Sequence, residues 1–513
     1  MKSLLAGLLA LLAQPALADD DAGKLYADHC ADCHGFDRLG GVGPALLPEN
    51  LGRLKPAEAV QVILEGRVAT QMLGLGDKLS KGEAETLAKH IYTPLARIPV
   101  WGEAEIAASR VTLTPPESLP AKPVHQANPL NLFTVVELGD HHVTILDGDR
   151  FLPLNRFQSR FALHGGAKYS PDGRFVYLAS RDGWVLKYDL YSLKPVAEVR
   201  VGINTRNIAV SSDGRYVAAA NYLPHTITLL DASDLSPLKV IEVKDENGTS
   251  SRVSAIYTAP PRQAFIAALK DVKEVWEIPY GDTAKVSAGL VHGYEKSKGE
   301  ARPVQSRFPL RRIVVDGILD DFFFDPAYAH LIGASREGKA QVVDLLAGRT
   351  IKSIELSGMP HLGSGIVFQS EGRQLMATPN LKESVVSIVD MKNWEVVKRI
   401  ATPGPGFFLR GHENSPYAWT DTMMGKIKDT MTIIDTRTLE VVRTITPSPG
   451  KTAAHVEFTR DGKYALVSIW EMEGDLVIYD AATFLEVKRL PMKKPSGKYN
   501  VWNKINYSSG TSH

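Results

Sequence analysis

Two cysteines in 513 residues exclude a disulfide scaffold, so a chain of this length must be stabilised by buried area. An excess of charge of one sign is also missing. Lysine and arginine number 59 against 58 aspartates and glutamates, and a net charge of +1 gives no case for a nucleic-acid partner. After the N-terminus no stretch offers about 18 uncharged apolar residues, which excludes a membrane-spanning helix from the mature chain. The one apolar run, 4–12, is too short to span. With Lys2 before it, Ala16-Leu17-Ala18 after it and then Asp19-Asp20-Asp21, it reads as a signal peptide over 1–18. The length exceeds one ordinary core and predicts two domains or one large repeat array.

The two cysteines stand together in His29-Cys30-Ala31-Asp32-Cys33-His34-Gly35. Two thiols spaced by two residues and followed by histidine form the attachment pattern of a c-type haem, with Cys30 and Cys33 on the vinyl groups and His34 on the iron. A redox disulfide would not need the adjacent histidine, and a zinc site would need further ligands where no third cysteine exists. Covalent haem attachment takes place outside the cytoplasm, in agreement with the N-terminal segment.

Residues 19–100 read as a small helical haem domain. Helices are predicted over 22–28, over 55–66 with Pro56 in the first turn, and over 80–92 with Ser80 and Glu83 as a capping box and Pro94 beyond. Between the last two lies Gln71-Met72-Leu73-Gly74-Leu75-Gly76-Asp77. This loop resembles the ligand loop of bacterial class I cytochromes c, which makes Met72 the candidate second ligand of the haem c iron opposite His34 and implies a higher potential than a bis-histidine pair. Residues 101–130, with Pro115, Pro116, Pro120, Pro123 and Pro129, read as a semi-extended Pro-rich linker.

From 131 to 513 the chain turns to short β-branched and aromatic strands. Ser170-Pro171-Asp172-Gly173-Arg174 returns as Ser212-Asp213-Gly214-Arg215, Ser370-Glu371-Gly372-Arg373 and Arg460-Asp461-Gly462-Lys463. Apolar strands ending in Asp recur at Asp147, Asp189, Asp231, Asp344, Asp390, Asp435 and Asp480, with a degenerate unit near Glu277. About 42 to 46 residues per unit suits four strands, and the count predicts an eight-bladed β-propeller, or seven blades if the degenerate unit fails. The long interval from Glu277 to Asp344 places an insertion around 292–312. The fold class is thus multidomain, an all-α cytochrome c domain followed by an all-β propeller.

Histidines 164, 361, 412 and 455 stand ahead of the repeated turn or at the start of a blade, and are expected at one end of the propeller channel. Arg156, Arg160, Arg181, Arg206, Arg252 and Lys270 gather near blade openings. Guanidinium groups pair bidentately with carboxylates, and an iron tetrapyrrole rimmed by carboxylates would use both sets.

Leu163-His164-Gly165, Pro360-His361-Leu362-Gly363-Ser364-Gly365, Gly411-His412 through Ser415-Pro416 with Trp419 and Asp421, and Ser496-Gly497-Lys498-Tyr499-Asn500-Val501 resemble the haem d1 pocket segments of the cytochrome cd1 family. The resemblance covers essentially the whole mature chain. That family includes nitrite reductases and the dehydrogenases that finish haem d1 synthesis. The short arm before Cys30, the 40–51 segment and Gly-His-Glu-Asn-Ser-Pro-Tyr look like the dehydrogenases. The resemblance implies a periplasmic oxidoreductase that binds dihydro-haem d1, oxidises one propionate to an acrylate and passes electrons through haem c to a periplasmic acceptor, with possible handover of product to a nitrite reductase. By the same resemblance His455 and Tyr499 are candidates for the base, and His361 or His164 for the ligand of the substrate iron. His412 belongs to the pocket, and Arg181, Arg206 and Arg252 match the family's basic positions. A nitrite reductase and a non-catalytic haem d1 carrier remain the alternatives.

Overall fold

The computed structural model describes residues 17–506 except 42, 53, 67–71, 98, 164, 282–306 and 336–337. All but the last two residues of the expected signal peptide lie outside this range. No helix among the described residues is long and apolar enough to cross a membrane. The chain divides into two compact units, 1–98 and 99–513.

The first unit is helical: α1 (Leu17–His29), α2 (Ala31–His34), α3 (Pro48–Leu51), α4 (Pro56–Glu65) and α5 (Lys81–Ile91). The expected capping box forms, with Ser80 N–H donating to Glu83 Oε2 at 2.8 Å and Glu83 N–H to Ser80 Oγ at 3.3 Å. Ala59 and Ile63 of α4 pack with Ala84, Leu87, Ala88 and Ile91 of α5 and Tyr26 of α1.

The second unit contains eight four-stranded antiparallel blades. Blades 2 to 8 follow the chain from their innermost strands, Lys168–Tyr169, Asn204–Val210, Val253–Ala259, Asp321–Phe324, Ile366–Ser370, Leu409–His412 and Ala453–Phe458. Blade 1 is composite. Its three outer strands are Leu132–Glu137, His142–Asp147 and Leu152–Gln158, whereas its innermost strand is Pro495–Asn500 from the C-terminal end, paired as Phe133↔Asn500 and Thr134↔Tyr499.

The repeats have a local cause. In the first repeated turn Ser170 Oγ bonds Asp172 Oδ1, Asp172 Oδ1 accepts the Arg174 N–H, and Gly173 takes the left-handed conformation at φ +73°. The strand-terminal aspartates act likewise on the other side of each blade. Asp147, Asp231, Asp344, Asp390, Asp435 and Asp480 each accept the N–H two residues on, at 2.8–3.1 Å. Each aspartate carbonyl accepts the N–H four residues on from a left-handed residue, as at Phe151, Leu235, Trp394, Leu439 and Phe484. The degenerate unit is real: in blade 4 Glu277 forms ion pairs with Arg262 and Arg311. Its fourth strand is Arg311–Val314, so the long interval falls between the third and fourth strands of this blade.

The 101–130 segment differs from the expected linker because its apolar side chains and strand edge are used by the propeller. It carries α6 (Glu103–Ser109), whose Ile106 is fully buried in the core shared by blades 2 and 3. Trp101 Nε1–H donates to the Arg200 carbonyl at 2.8 Å, Arg110 pairs with Asp234, and Val111–Thr112 adds a fifth strand to blade 2.

Ring closure is reinforced by buried Asn131, whose Oδ1 accepts from Arg460 N–H at 2.9 Å and Asn500 Nδ2–H at 3.0 Å. Asn131→Ala leaves both donors without that acceptor, and should lower propeller stability by about 1–3 kcal/mol with the haem domain unaffected, as read by denaturant unfolding followed separately by tryptophan fluorescence and haem absorbance.

Candidate functional site

In the first unit α1 and α2 bring Cys30, half-buried, and Cys33, exposed, together. Burial pushes the Cys30 thiol up to about 11. The His34 imidazole is buried, and its Nδ1 bonds the Pro44 carbonyl at 2.8 Å, which fixes the ring and leaves Nε2 as the coordinating nitrogen. Gly43 lies flat against that ring; a Cβ there would stand 2.7 Å from His34 Cε1. Met72 begins a loop stitched to the end of α4 by Leu75 N–H to Ile63 O and Gly76 N–H to Leu64 O, both 2.9 Å. Only glycine fits at 74, where a Cβ would meet the Glu65 carbonyl carbon at 2.7 Å. Thiol pair, oriented imidazole and anchored methionine loop fit a covalent haem with His34 and Met72 as its ligands.

In the propeller seven of the eight innermost strands send a polar or charged side chain into one cluster: Lys498 and Tyr499 from blade 1, Lys168, Arg206, Tyr257, Asp321 and Arg410 from blades 2, 3, 4, 5 and 7, and His455 and Glu457 from blade 8. The rings form a continuous row. His361 lies 4.1 Å from Phe407, Phe407 4.6 Å from Phe408, Phe408 4.5 Å from His455, and His455 5.4 Å from Tyr499. His361 precedes the blade 6 strand, and its Nδ1 is held by the Phe407 carbonyl at 2.7 Å, so that Nε2 remains for a ligand.

Three features of His455 bear on its chemistry, and His141, away from this row of rings, shares the left-handed φ, the burial and the unpaired nitrogens. His455 sits at a β-bulge with φ +51°, it is 1% exposed, and neither ring nitrogen has a hydrogen-bond partner among the described residues. A buried imidazole with both polar atoms unpaired is costly unless a ligand meets it. Burial, with Lys498, Arg410 and Lys504 nearby, holds it well below the ordinary histidine value, so it is neutral at neutral pH. Burial pushes Tyr499 the other way, up to about 12, which keeps its phenol protonated.

Cations crowd this space. Burial lowers Lys168 to about 8 and Lys504, on α7 (Val501–Ile505), to about 7, and Lys498 well below its usual value. Lys498 Nζ donates to Ser468 Oγ at 2.8 Å and to the His455 carbonyl at 2.5 Å. Arg410 is 3% exposed, and its Nε has no partner among the described residues. The buried anion beneath them is Glu457, 3.8 Å from Lys504. A second cationic group surrounds the Tyr222 ring: Arg181 at 5.7 Å, Arg252 at 5.6 Å and Lys270 at 6.0 Å from its centroid. Arg252 is paired with Asp271 and Lys270 with Asp320. Arg206 interacts electrostatically with both Tyr222 and Asp321, and so stands between the two groups.

The structure therefore brings together His361, His455 and Tyr499, with Arg206 between them and the Arg181–Arg252 group. Among the described residues His412 stands outside the row of rings, although it faces Glu457 and Asn503. His412 ends its innermost strand beside Phe458 and the Gly462 turn of blade 8, because a position late in the strand lies on the turn rim of the blade. His164 lies outside the described residues; two residues on, a Cβ at Gly166 would stand 3.1 Å from the Tyr499 ring. Arg156 and Arg160 are spent on Glu137, Asp140 and Glu198. Lys168, Arg410, Lys504 and Glu457 escaped the sequence reading; for Lys168, Arg410 and Glu457 the available signal was a charged residue in an innermost strand, whereas Lys504 lies on α7.

Replacing Met72 by alanine should leave the covalent haem in place and lower its reduction potential. A redox titration unchanged from wild type would remove Met72 from the ligand set.

Comparison with known proteins agrees with this geometry. Residues 127–296 and 303–504 match the family model described as cytochrome D1 heme domain, and residues 18–91 match that of the cbb3-type cytochrome c oxidase subunit III. A dihydro-heme d1 dehydrogenase of Pseudomonas aeruginosa is 55% identical over 507 residues, which cover 99% of this chain and 98% of that protein. A nitrite reductase of Stutzerimonas stutzeri is 25% identical, with 98% and 99% covered. A solved structure described as dihydro-heme d1 dehydrogenase NirN in complex with DHE superimposes with a TM-score of 0.87 at 55% identity, covering 94% of this chain and all of that one. With most of the chain matched and the propeller seen blade by blade, the chain belongs to the cytochrome D1 heme domain family.

Proposed function

We propose that this protein is a dihydro-haem d1 dehydrogenase that oxidises one propionate side chain of its tetrapyrrole substrate to an acrylate. The observation that carries the reading is His455, a neutral, buried imidazole with no hydrogen-bond partner among the described residues, in a row of rings with His361 and Tyr499 inside a cation-rich propeller. The 55% identity to a protein named for this activity supports it.

The reaction removes two protons and two electrons from a carbon–carbon single bond. His361, oriented through Nδ1 by the Phe407 carbonyl, presents Nε2 to the substrate iron. Arg206, Arg410 and Lys168 face the carboxylates, with Arg181 and Arg252 as a further group about Tyr222. His455 accepts a proton from the propionate carbon, and its low proton affinity in the free protein rises as the substrate carboxylates offset the surrounding cations. Tyr499, protonated at working pH, is a hydrogen-bond donor to the carboxylate of the reacting chain, which stabilises charge that builds there as the C–H bond breaks. Haem c, held by Cys30, Cys33, His34 and Met72, supplies one-electron acceptance. The 1–18 segment supports a periplasmic location, with electrons leaving to a periplasmic acceptor and the product passing to a nitrite reductase.

Incubating the purified protein with dihydro-haem d1 and an electron acceptor should yield haem d1, read from the visible spectrum of the extracted tetrapyrrole. Unchanged substrate would overturn the reading, and sustained nitrite turnover would favour a reductase. His455→Ala should bind the substrate but convert it about 10²–10⁴-fold more slowly, while Tyr499→Phe should also bind it and show reduced conversion. Full turnover by either variant would remove that residue from the reaction.

Lys504 and Lys168 are lowered to about 7 and about 8 in the free protein, so both carry less than a full proton at pH 8. A ligand with several carboxylates raises both values, and binding should take up protons at pH 8, with the lysine contribution fading by pH 5.5 where both are already charged. Calorimetry in two buffers of different ionisation enthalpy reads the uptake directly.

A further inference from the structure

One carboxylate joins the two reacting histidines. Asp421 ends the second strand of blade 7 and is fully buried. Its Oδ1 accepts the main-chain N–H of Phe407 at 2.7 Å and of Met423 at 3.4 Å, and its Oδ2 accepts those of Phe408 and His455, both at 3.2 Å. Phe407 is the residue whose carbonyl holds His361 Nδ1, and His455 is the residue in the left-handed bulge. Asp421 thus reaches the support of one imidazole and the main chain of the other.

We propose that Asp421 is the positioning residue of the site: through the main chain at Phe407 and His455, its carboxylate sets the spacing between the iron-binding and the proton-accepting imidazole. The proposal rests on the roles given above to His361 and His455.

Loop-holding alone does not call for a charge here. One place further along the second strand than the position of Asp421, blade 3 has Asn221, which accepts from Thr205 Oγ1 and donates to the Val201 carbonyl, and blade 6 has Asn380. In blade 6, Asn380 Oδ1 accepts three main-chain N–H groups at 2.9–3.1 Å while Nδ2 donates to the Ser357 carbonyl. A neutral amide performs that task in both blades. Blade 7 uses a carboxylate at the cost of burying it, and burial raises Asp421 to about 6. What the carboxylate gains is two equivalent acceptors with no donor, so both oxygens can face N–H groups, one toward Phe407 and the other toward His455. Electrostatic interaction with Arg410 and Lys498 ties the same carboxylate to the channel cations.

Asp421→Asn tests this with little change of shape, since one oxygen becomes an amide nitrogen facing main-chain donors. The variant should bind dihydro-haem d1 within about threefold of wild type, convert it about 10–100-fold more slowly, and shift the axial-ligand bands of the bound substrate iron in the visible and paramagnetic resonance spectra. Wild-type kcat together with a wild-type ligation spectrum would overturn the proposal. A failure of wild-type protein to convert the substrate would fall on the functional reading instead, and the ligation spectrum would still decide the role of Asp421. Should the variant not fold, hydrogen exchange on ligand-free wild type decides: the amides of Phe407, Phe408 and His455 should be protected together, and exchange at the free-chain rate would overturn the proposal.

Discussion

Closure of the propeller by its last strand is the constraint on which the rest depends. An open chain of blades would leave the inner edge of Leu132–Glu137 unpaired, and Pro495–Asn500 fills that edge. The strand that closes the ring also delivers Lys498 and Tyr499, and the helix after it carries Lys504 and Asn503 into the same space. Stability and site are therefore built by one event: Tyr499 meets His455, and Lys498 holds the His455 carbonyl, only because residue 500 returns to residue 133.

The closed ring then creates an electrostatic problem. Lys168, Arg206, Arg410, Lys498 and Lys504 stand in or beside the channel with Asp321, Glu457 and Asp421 as the nearby carboxylates. Burial opposes each charge, and the lysines respond by giving up protons more readily. On the proposed reading, the carboxylates of the substrate offset these buried cations, so the same residues that oppose one another in the fold favour a ligand of that charge. His455 is part of the same balance, kept neutral by burial and by its cationic neighbours.

Much of the fold was readable because its causes are local. The Ser80–Glu83 cap, the Cys30–His34 pentapeptide, the Asp–Gly turns and the strand-ending aspartates each act within five residues, so their spacing alone predicts them. Composition misled at 101–130: prolines suggested a spacer, yet Ile106 and Trp101 are apolar anchors that dock on blades 2 and 3. Equivalent places in the repeat did not put His412 in the row of rings: it ends its innermost strand and reaches Glu457 and Asn503, whereas His361 precedes its strand.

By itself the sequence determined a haem attachment motif and an eight-unit repeat, and family motifs pointed to His361, His455 and Tyr499. Only the tertiary structure decided which side chains share the channel. Lys168 and Lys498 are separated by most of the propeller sequence, and Asp421 reaches Phe407 and His455 through main-chain atoms that no motif records. The physical reason is that a ring converts positions spread evenly along the chain into neighbours around one axis. Charge, burial and missing hydrogen-bond partners there belong to the closed ring and to no segment of it.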